Sequence, residues 1–313
     1  MKLSICIPTY DRSLSLSFLI NTIIKQTKSL SVEIIVCDNS ENLLTQEVCK
    51  NFIKYKNFHY HKNDQNIGFA KNVKNCIERS SGDYIWLIGD DDLLSADAVN
   101  VVYNKIVNSN CGWICFNFTK LLGKHKFRRN YLFQNFETNS LDLFLNKMGI
   151  WSSFMSITIV HSDVKKVLNK FSYNNYYLFS LALHIGSQYG CNFINNTILS
   201  RDCSNITSHR FDNLNTYLFD FFETINYLVN KNILSSKTKI KLANSLFVGI
   251  VPFLLIKHRI DKKLIPDIRL VFNNYNNCIN FWFFFVPLYF IPKRIIILLY
   301  NNINLIKSIR NIY

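Results

Sequence analysis

The amino-acid sequence predicts an α/β fold in which a mainly parallel sheet is flanked by helices. Short apolar runs rich in β-branched residues alternate with segments of helical spacing between residues 3 and 88. Three of these runs end in polar or acidic turns, and the chain is 49% apolar, enough for a substantial core. Alternation at this spacing indicates βαβ units and therefore a parallel sheet.

The first elements follow from apolar spacing. Leu3–Ile7 is a short apolar run closed by Pro8, which favours a buried first strand over a secretory signal peptide. The next segment, Ser13–Gln26, has apolar residues at helical spacing. The same reasoning predicts strands at 32–37, 58–61 and 84–88, and helices at 45–55 and 69–80.

The later elements are less regular. Between residues 95 and 205 the pattern is mixed, with strands predicted at 112–117 and 156–160 and a helix at 176–184. Beyond residue 215 it becomes largely helical, with long apolar segments at 214–228 and 240–256.

Three polar turns follow the predicted strands. They are Thr9–Arg12, Asp38–Ser40 and Gly89–Asp92. In open parallel sheets, ligands bind outside the carboxyl ends of the strands. The sequence therefore places a ligand site at this edge of the sheet.

The last of these turns carries three consecutive carboxylates: Asp90, Asp91 and Asp92. Adjacent carboxylates repel one another, and a cation compensates that repulsion. Hard oxygen ligands suit Mg²⁺ or Mn²⁺, which keep several waters and share a substrate diphosphate. The alternative is a solvated acidic turn that caps the next helix.

Charge and cysteine usage restrict the partners and the compartment. The formal net charge is +15, and residues 231–313 hold 13 of the 36 Lys and Arg side chains with only two acidic ones. This distribution indicates an anionic partner for the carboxyl-terminal region. The nine cysteines include no CxxC pair, which argues against a disulfide framework and a zinc site and favours reduced thiols in the cytosol.

Four motifs give the chain a family resemblance. In order they are Ile5–Arg12 (ICIPTYDR), Ile34–Ser40 (IIVCDNS), Asn66–Asn72 (NIGFAKN) and Gly82–Asp92 (GDYIWLIGDDD). Together and at this spacing they resemble family 2 glycosyltransferases, whose GT-A fold has a Rossmann-like sheet. The resemblance covers residues 1–120, then fades.

The resemblance implies a nucleotide-sugar site. By position, Pro8, Thr9 and Tyr10 border the nucleoside, and Asp38 accepts a hydrogen bond from the base. Gly68 and Asn72 lie along the nucleotide cleft. The implied nucleotide-binding set also includes Arg12, Asn39 and Asp90. The alternative for Asp38-Asn39-Ser40 is a turn that caps the following helix.

The metal motif departs from the common Asp-x-Asp-Asp pattern of the family. Gly89 stands at the position of the first Asp, Asp90 at the variable position, and Asp91 and Asp92 at the last two. The resemblance thus implies that Asp91 and Asp92 bind Mn²⁺ or Mg²⁺. The Gly-x-Asp-Asp form resembles abequosyltransferase-like O-antigen glycosyltransferases.

The family implies an inverting displacement that needs a general base. Relatives place a Glu-Asp pair about 90 residues after the metal motif, whereas Asn174–Phe179 has no carboxylate. Asp202 and His209 are the candidates for the base. Asp163 is expected to cap a helix, and His184 to be a core histidine.

The two parts of the chain have different expected roles. We expect a GT-A catalytic domain over 1–210, with a nucleotide-sugar half at 1–120 and an acceptor half at 121–210. Residues 211–313 form a helical basic and aromatic region. Its segment 281–291 is too short to span a bilayer and fits an interfacial segment on an anionic membrane, the alternative being a helical hairpin packed on the core. No nucleic-acid partner is expected, because the basic residues are dispersed among apolar runs.

The resulting hypothesis is a metal-dependent glycosyltransferase acting on a lipid-linked O-antigen-type acceptor. It is expected in the cytoplasm, peripheral on the inner face of the cytoplasmic membrane. The alternative is a degenerate family member that binds nucleotide or glycan, or acts as a membrane scaffold, since the Glu-Asp pair is missing. A nucleotidyltransferase is disfavoured because the chain lacks that class's Gly-rich amino-terminal loop.

Overall fold

The computed structural model describes residues 1–27, 29–122, 126–129, 134–202, 214–248, 250–261, 263 and 265–298. The chain divides into two compact units, Met1–Asn205 and Ile206–Tyr313.

Within its described part, the first unit has ten strands in one sheet. In chain order the strands are β1 (Leu3–Thr9), β2 (Val32–Asp38), β3 (Phe58–Lys62), β4 (Tyr84–Leu87), β5 (Leu93–Leu94), β6 (Trp113–Leu122), β7 (Lys126–Arg129), β8 (Phe136–Thr138), β9 (Thr158–His161) and β10 (Cys191–Asp202). Their order across the sheet is β3-β2-β1-β4-β9-β6-β10-β5, with β7 paired to β6 and β8 to β10.

The sheet confirms the predicted α/β fold and has two halves of different character. Strands β3, β2, β1 and β4 are all parallel, and Thr9 at the end of β1 lies beside Asp38 at the end of β2. In the second half β9 runs antiparallel to β4 and β6, while β6 and β10 are parallel. The carboxyl ends of β1, β2 and β4 therefore meet at one edge, as the motif spacing predicts.

Helices of the first unit pack against this sheet. They are α1 (Ser13–Gln26), α2 (Leu44–Lys50), α3 (Phe69–Arg79), α4 (Ala98–Val107), α5 (Leu141–Met148) and α6 (Tyr177–Tyr189). The boundaries of α1 agree with the prediction. Leu19 and Ile23 are buried, whereas Leu14 and Phe18 point outward. Helical spacing identified the helix without specifying which apolar residues face the sheet.

The eight described cysteines are all free and buried. Burial raises the pKa of several of these thiols, including those of Cys6 and Cys115. Within the described part of the chain, these thiols form no disulfide.

Glu33 is a buried carboxylate near the amino end of β2. It accepts hydrogen bonds from Lys2 Nζ at 2.8 Å, from the Ser4 hydroxyl, and from the backbone N–H and hydroxyl of Ser81. Burial alone would raise the pKa of Glu33, but these donors lower it from 4.5 to about 2. Ionised Glu33 thus ties β1, β2 and the start of β4 together at the edge of the sheet opposite the acidic turn.

Replacement of Glu33 by glutamine is expected to lower the free energy of unfolding by about 1–3 kcal/mol near neutral pH, because an amide cannot accept all of these bonds. Since the folded-state pKa lies below the unfolded one, the stabilisation is full above the unfolded pKa and is lost as the pH falls towards about 2. Urea unfolding from about pH 7 to about pH 3 should show the difference between wild type and Glu33→Gln narrowing with acid. The exposed Glu41→Gln is the control, and a pH-independent difference would contradict this account.

The second unit is helical in its described residues. Single π-helical turns at Thr216–Asp220 and Phe281–Phe285 precede α7 (Phe221–Asn230) and α11 (Val286–Phe290), and between these lie α8 (Ser236–Val248), α9 (Ile250–Ile260) and α10 (Ile268–Tyr275). The apolar segment 240–256 thus belongs to two helices, α8 and α9, which are bent by 44° relative to one another. Among the described helices none is by itself long and apolar enough to cross a bilayer, and α8 with α9 reaches that length only as a bent pair.

Aromatic side chains form part of the core of this unit. The ring of Phe247 packs against Tyr275, Phe281 and Phe285, with ring centroids 4.9 to 5.8 Å apart. The Tyr275 hydroxyl donates to the carbonyl oxygen of Leu218 at 2.9 Å. The apolar segment 281–291 therefore contributes some of its rings to the core.

Candidate active site

The acidic turn lies directly beyond β4, beside the end of β1. Thr9 Oγ1 donates a hydrogen bond to Asp90 Oδ2 at 2.7 Å. Arg12 Nη1 lies 2.8 Å from both Asp90 Oδ1 and Asp91 Oδ2. One guanidinium thus bridges two of the three carboxylates and already supplies part of the compensating positive charge.

The three carboxylates occupy different environments. The side chain of Asp91 is 52% exposed, whereas those of Asp90 and Asp92 are buried. Asp92 Oδ2 accepts a hydrogen bond from the Ser156 hydroxyl, which also accepts the Gly89 N–H at 2.8 Å. Burial raises the pKa of Asp90 although Arg12 and Thr9 oppose it. Asp91 is therefore the carboxylate of this turn that faces solvent.

Gly89 leaves no room for the side chain that the common family pattern has at this position. A Cβ atom there would lie 2.9 Å from Asp92 Oδ2 and 3.2 Å from Asp91 Oδ1. A Gly89→Ala variant is expected to displace Asp92 from Ser156 and to cost about 1–3 kcal/mol of stability. Thermal unfolding of the variant measures the loss of stability, and its binding of a nucleotide-sugar donor measures the effect of the displaced Asp92. Unchanged values would mean that the turn relaxes around a methyl group.

The donor set of the turn fits a substrate-shared divalent cation. Mg²⁺ and related ions are bound through one or two carboxylates together with substrate phosphates. Asp91 and Asp92 supply two such carboxylates, one exposed and one held by Ser156. The described residues contain no group of three His, Cys, Asp or Glu side chains arranged to hold a metal.

Asp38 is fully buried at the end of β2. Its Oδ1 accepts the backbone N–H of Ser40 at 2.8 Å, and its Oδ2 accepts the Tyr60 hydroxyl at 2.8 Å. Lys62 Nζ lies 3.8 Å from the same Oδ2. Burial and the bond to Asp38 raise the pKa of Tyr60, which keeps its proton on the shared bond. The orientation of the Asp38 carboxylate is thus fixed before any ligand arrives.

Sequence reasoning did not identify Tyr60 and Lys62. Both residues lie in β3, which pairs in parallel with β2. In this register Val36 pairs with Tyr60 and Asp38 with Lys62. Tyr60 and Lys62 are two residues apart in β3, and residues at that spacing lie on one face of a strand. This spacing could have indicated that the two side chains share a face.

An amide network joins the second and third motifs. Asn63 Nδ2 donates to Asn39 Oδ1 at 2.7 Å and to Asn72 Oδ1 at 2.8 Å. Asn72 Nδ2 donates to the carbonyl oxygen of Cys37, and Asn39 Nδ2 to that of Gly68. Gly68 has a φ of +81°, a conformation that favours glycine, where the chain enters α3. Asn39 and Asn72 are buried in this network, which holds the α3 entrance against the end of β2.

The first motif presents a single ring to solvent. Pro8 and Thr9 are buried within β1, whereas Tyr10 is half-exposed. The Asp11 N–H donates to Ser40 Oγ at 2.9 Å, and Asp11 has a positive φ of 52°. The chain therefore turns sharply after β1 and leaves the Tyr10 ring at the same edge as Asp38 and Asp91.

The side chains of both candidates for the general base lie outside the described part of the structure. Asp202 ends β10, where its backbone pairs with Leu121. His209 lies outside the described residues. The first turn of α6 contains no acidic residue, as the sequence indicates.

The other two titratable residues named from the sequence, Asp163 and His184, have partners of the kind found at structural positions. Asp163 Oδ1 lies 2.7 Å from Lys166 Nζ, and its Oδ2 accepts the Tyr189 hydroxyl at 2.6 Å; these bonds lower the pKa of Asp163. The His184 ring packs against Phe171, and burial lowers its pKa. His184 Nδ1 is buried without a hydrogen-bond partner in the described part of the chain, as in a core histidine.

Two curated proteins are similar in sequence to part of this chain. An abequosyltransferase of Salmonella typhimurium LT2 is 32% identical over 118 residues, covering 37% of this chain and 35% of that protein. A poly(ribitol-phosphate) beta-N-acetylglucosaminyltransferase of Staphylococcus aureus is 25% identical over 175 residues, covering 54% and 50%. The chain thus spans half or less of the length of these curated relatives.

Two solved structures share the fold. Staphylococcus aureus TarS 1–349 in complex with UDP-GlcNAc has a TM-score of 0.59 at 14% identity, covering 83% of this chain and 81% of that one. The mannosyltransferase PcManGT of Pyrobaculum calidifontis, in complex with GDP-Man and Mn²⁺, has a TM-score of 0.58 at 12% identity, covering 87% and 79%.

The family model described as Glycosyl transferase family 2 matches residues 4–182, more than half of the chain and all four motifs. This chain belongs to glycosyl transferase family 2.

Proposed function

We propose that this protein transfers a sugar from a nucleotide-sugar donor to an acceptor hydroxyl group. The observation that carries the proposal is the convergence of Thr9, Asp38 and the Asp90–Asp92 turn at one sheet edge, within the residues matched by the family. Sugar-nucleotide ligands in the TarS and PcManGT structures support the same class of donor.

The nucleotide side of the site is proposed as follows. Asp38, held by Ser40 and Tyr60, accepts a hydrogen bond from the base, and the exposed Tyr10 ring packs against the nucleoside. Pro8 and Thr9 form the floor beneath it. Five further residues nearby shape or contact the nucleotide cleft: Asn39, Gly68, Asn72, Arg12 and Asp90.

Asp91 and Asp92 are the proposed metal ligands, for Mn²⁺ or Mg²⁺. When bound, such a cation neutralises charge developing on the departing diphosphate. In the transfer step the acceptor oxygen forms a bond to the anomeric carbon, and the bond from that carbon to the diphosphate oxygen breaks. The acceptor hydroxyl gives its proton to a base, for which Asp202 and His209 are the candidates, and the family implies inversion. Arg12 faces the same edge as a second cation for the leaving group.

The proposed acceptor is a lipid-linked intermediate of a surface polysaccharide of the O-antigen type. The name of the Salmonella relative and the basic, aromatic composition of residues 231–313 support it. We propose that the protein acts in the cytoplasm, bound peripherally to the anionic inner face of the cytoplasmic membrane, where such an acceptor is presented.

A donor screen tests the proposal. Thermal unfolding is measured with a panel of nucleoside diphosphates and nucleotide sugars, with and without Mn²⁺, followed by transfer and donor-hydrolysis assays. Metal-dependent stabilisation by one donor, followed by turnover, is the expected result. No stabilisation by any donor would contradict the proposal.

The second candidate function is a degenerate member that binds nucleotide or glycan, or scaffolds an assembly at the membrane. The observation that favours it is the first turn of α6, which lacks a carboxylate. Donor binding without turnover over plausible acceptors would support this function instead of transfer.

A further inference from the structure

The second unit carries an aromatic surface that the fold does not use. Among large side chains, Phe283 is 69% exposed, Phe290 67% and Trp282 46%. Their neighbours Phe281 and Phe285 are fully buried in the aromatic core. The structure thus separates the run Phe281–Phe285 into rings that stabilise the unit and rings that face outward.

Two of the outward rings, those of Trp282 and Phe290, line one groove. Phe272, Trp282, Val286 and Phe290 line a groove of about 480 Å³, with Arg269 at its side. The Phe272 and Trp282 rings are 5.6 Å apart, and Trp282 Nε1 donates to the carbonyl oxygen of Asn276 at 2.9 Å. The indole is therefore held in place with its polar atom satisfied and its ring partly open to the outside.

The surroundings of this aromatic surface are cationic. Arg259 Nη1 donates to the carbonyl oxygen of Leu288 at 2.6 Å, and Lys293 Nζ to that of Ile260 at 3.0 Å, so both cations lie beside α11. Arg294 is exposed next to Lys293. Within residues 265–298 the only acidic residue is Asp267, whose Oδ1 accepts the Arg269 N–H at the start of α10.

We infer that this surface inserts into the interface of an anionic lipid bilayer, with Trp282, Phe283 and Phe290 as the inserting side chains. Exposed apolar patches of this kind mark interaction sites, and Trp and Phe with Lys and Arg at the edge are typical of membrane-interface contacts. Charge complementarity selects a phospholipid surface of negative charge over a neutral one. The inference rests on the proposed membrane-linked acceptor and specifies which residues make the contact.

Vesicle binding tests the inference. Full-length protein is sedimented with phosphatidylglycerol-containing vesicles and with pure phosphatidylcholine vesicles at low and high salt. We expect binding to the anionic vesicles that weakens with salt, and a loss of at least tenfold for Phe283→Ser and for Phe290→Ser. The matched control is Phe18→Ser, which removes a ring that is 61% exposed on α1 of the other unit and should leave binding unchanged.

Depth quenching supplies a readout that does not depend on loss of binding. Brominated lipids should quench tryptophan fluorescence of the wild type, and Trp282→Phe should remove that quenching while retaining vesicle binding. Equal vesicle binding by wild type, Phe283→Ser and Phe290→Ser would overturn the inference. Concentration-dependent self-association that Phe283→Ser abolishes, without vesicle binding, would assign the surface to a second copy of the chain.

Donor binding measured on the same variants separates this inference from the proposed function. Phe283→Ser and Phe290→Ser should keep the donor-induced thermal stabilisation of the wild type. If the wild type binds anionic vesicles but no donor, the proposed transfer activity fails and the membrane surface stands.

Discussion

Asp91→Asn is expected to lower sugar transfer by about 10²–10³-fold while leaving the fold intact. The side chain is half-exposed, so an isosteric amide creates no cavity and buries no new polar group. An amide is a weaker ligand than a carboxylate for a hard divalent cation, and it brings no negative charge to the site. The loss should therefore appear in catalysis and in the metal-dependent part of donor binding, with little change in the unfolding temperature.

The control lies at the other end of the same strand. Asp83 precedes β4 and its side chain is 56% exposed, so Asp83→Asn makes the same chemical change away from the acidic turn. We expect it to retain transfer activity. Full activity of Asp91→Asn on the true substrate would exclude the metal role of this turn.

Arg12→Gln is expected to produce the second largest change, with opposite effects on stability and on metal affinity. Loss of the guanidinium leaves the buried Asp90 with Thr9 alone, and it leaves Asp90 and Asp91 without their bridging cation. Breaking a buried pair costs about 3–5 kcal/mol, and the partial exposure of Arg12 reduces the expected loss to about 1–3 kcal/mol. Binding of Mn²⁺ in the absence of donor should strengthen, because Arg12 no longer competes for Asp91 Oδ2.

Titration of free Mn²⁺ by electron paramagnetic resonance measures the affinity, and thermal unfolding with and without Mn²⁺ measures the linked stability. Arg12→Lys retains the positive charge and should lie between wild type and Arg12→Gln. The pKa of Asp90, already raised by burial, should rise further in Arg12→Gln, so acid should restore part of the lost stability. Mn²⁺ binding no tighter than that of wild type would contradict the competition.

Much of the amino-terminal fold was predictable because its signals are local. The apolar runs that became β1, β2 and β4, and the polar turns after them, are contiguous in the sequence. Parallel pairing then brings the three turns together without further information. The position of Asp38 and Asp91 at this edge was accessible to the same reasoning, whereas their proposed roles come from the family resemblance.

The differences within the acidic turn were not predictable in this way. The sequence-based interpretation treated Asp90 as a variable position, whereas the structure makes it a buried carboxylate held by Thr9 and Arg12. Its partners lie 81 and 78 residues away along the chain. Asp92 depends likewise on Ser156, and Asp38 on Tyr60, through contacts that no local pattern contains.

The sequence by itself determined the family, through its four motifs, and it predicted the α/β class and the sheet edge of the candidate site from short-range spacing. The tertiary structure decided which carboxylate of the Asp90–Asp92 turn is open to solvent, and which rings of the Phe281–Phe285 run face outward. Exposure depends on what packs against a side chain from distant parts of the chain. Three identical carboxylates, or five neighbouring aromatic rings, therefore become different only after folding.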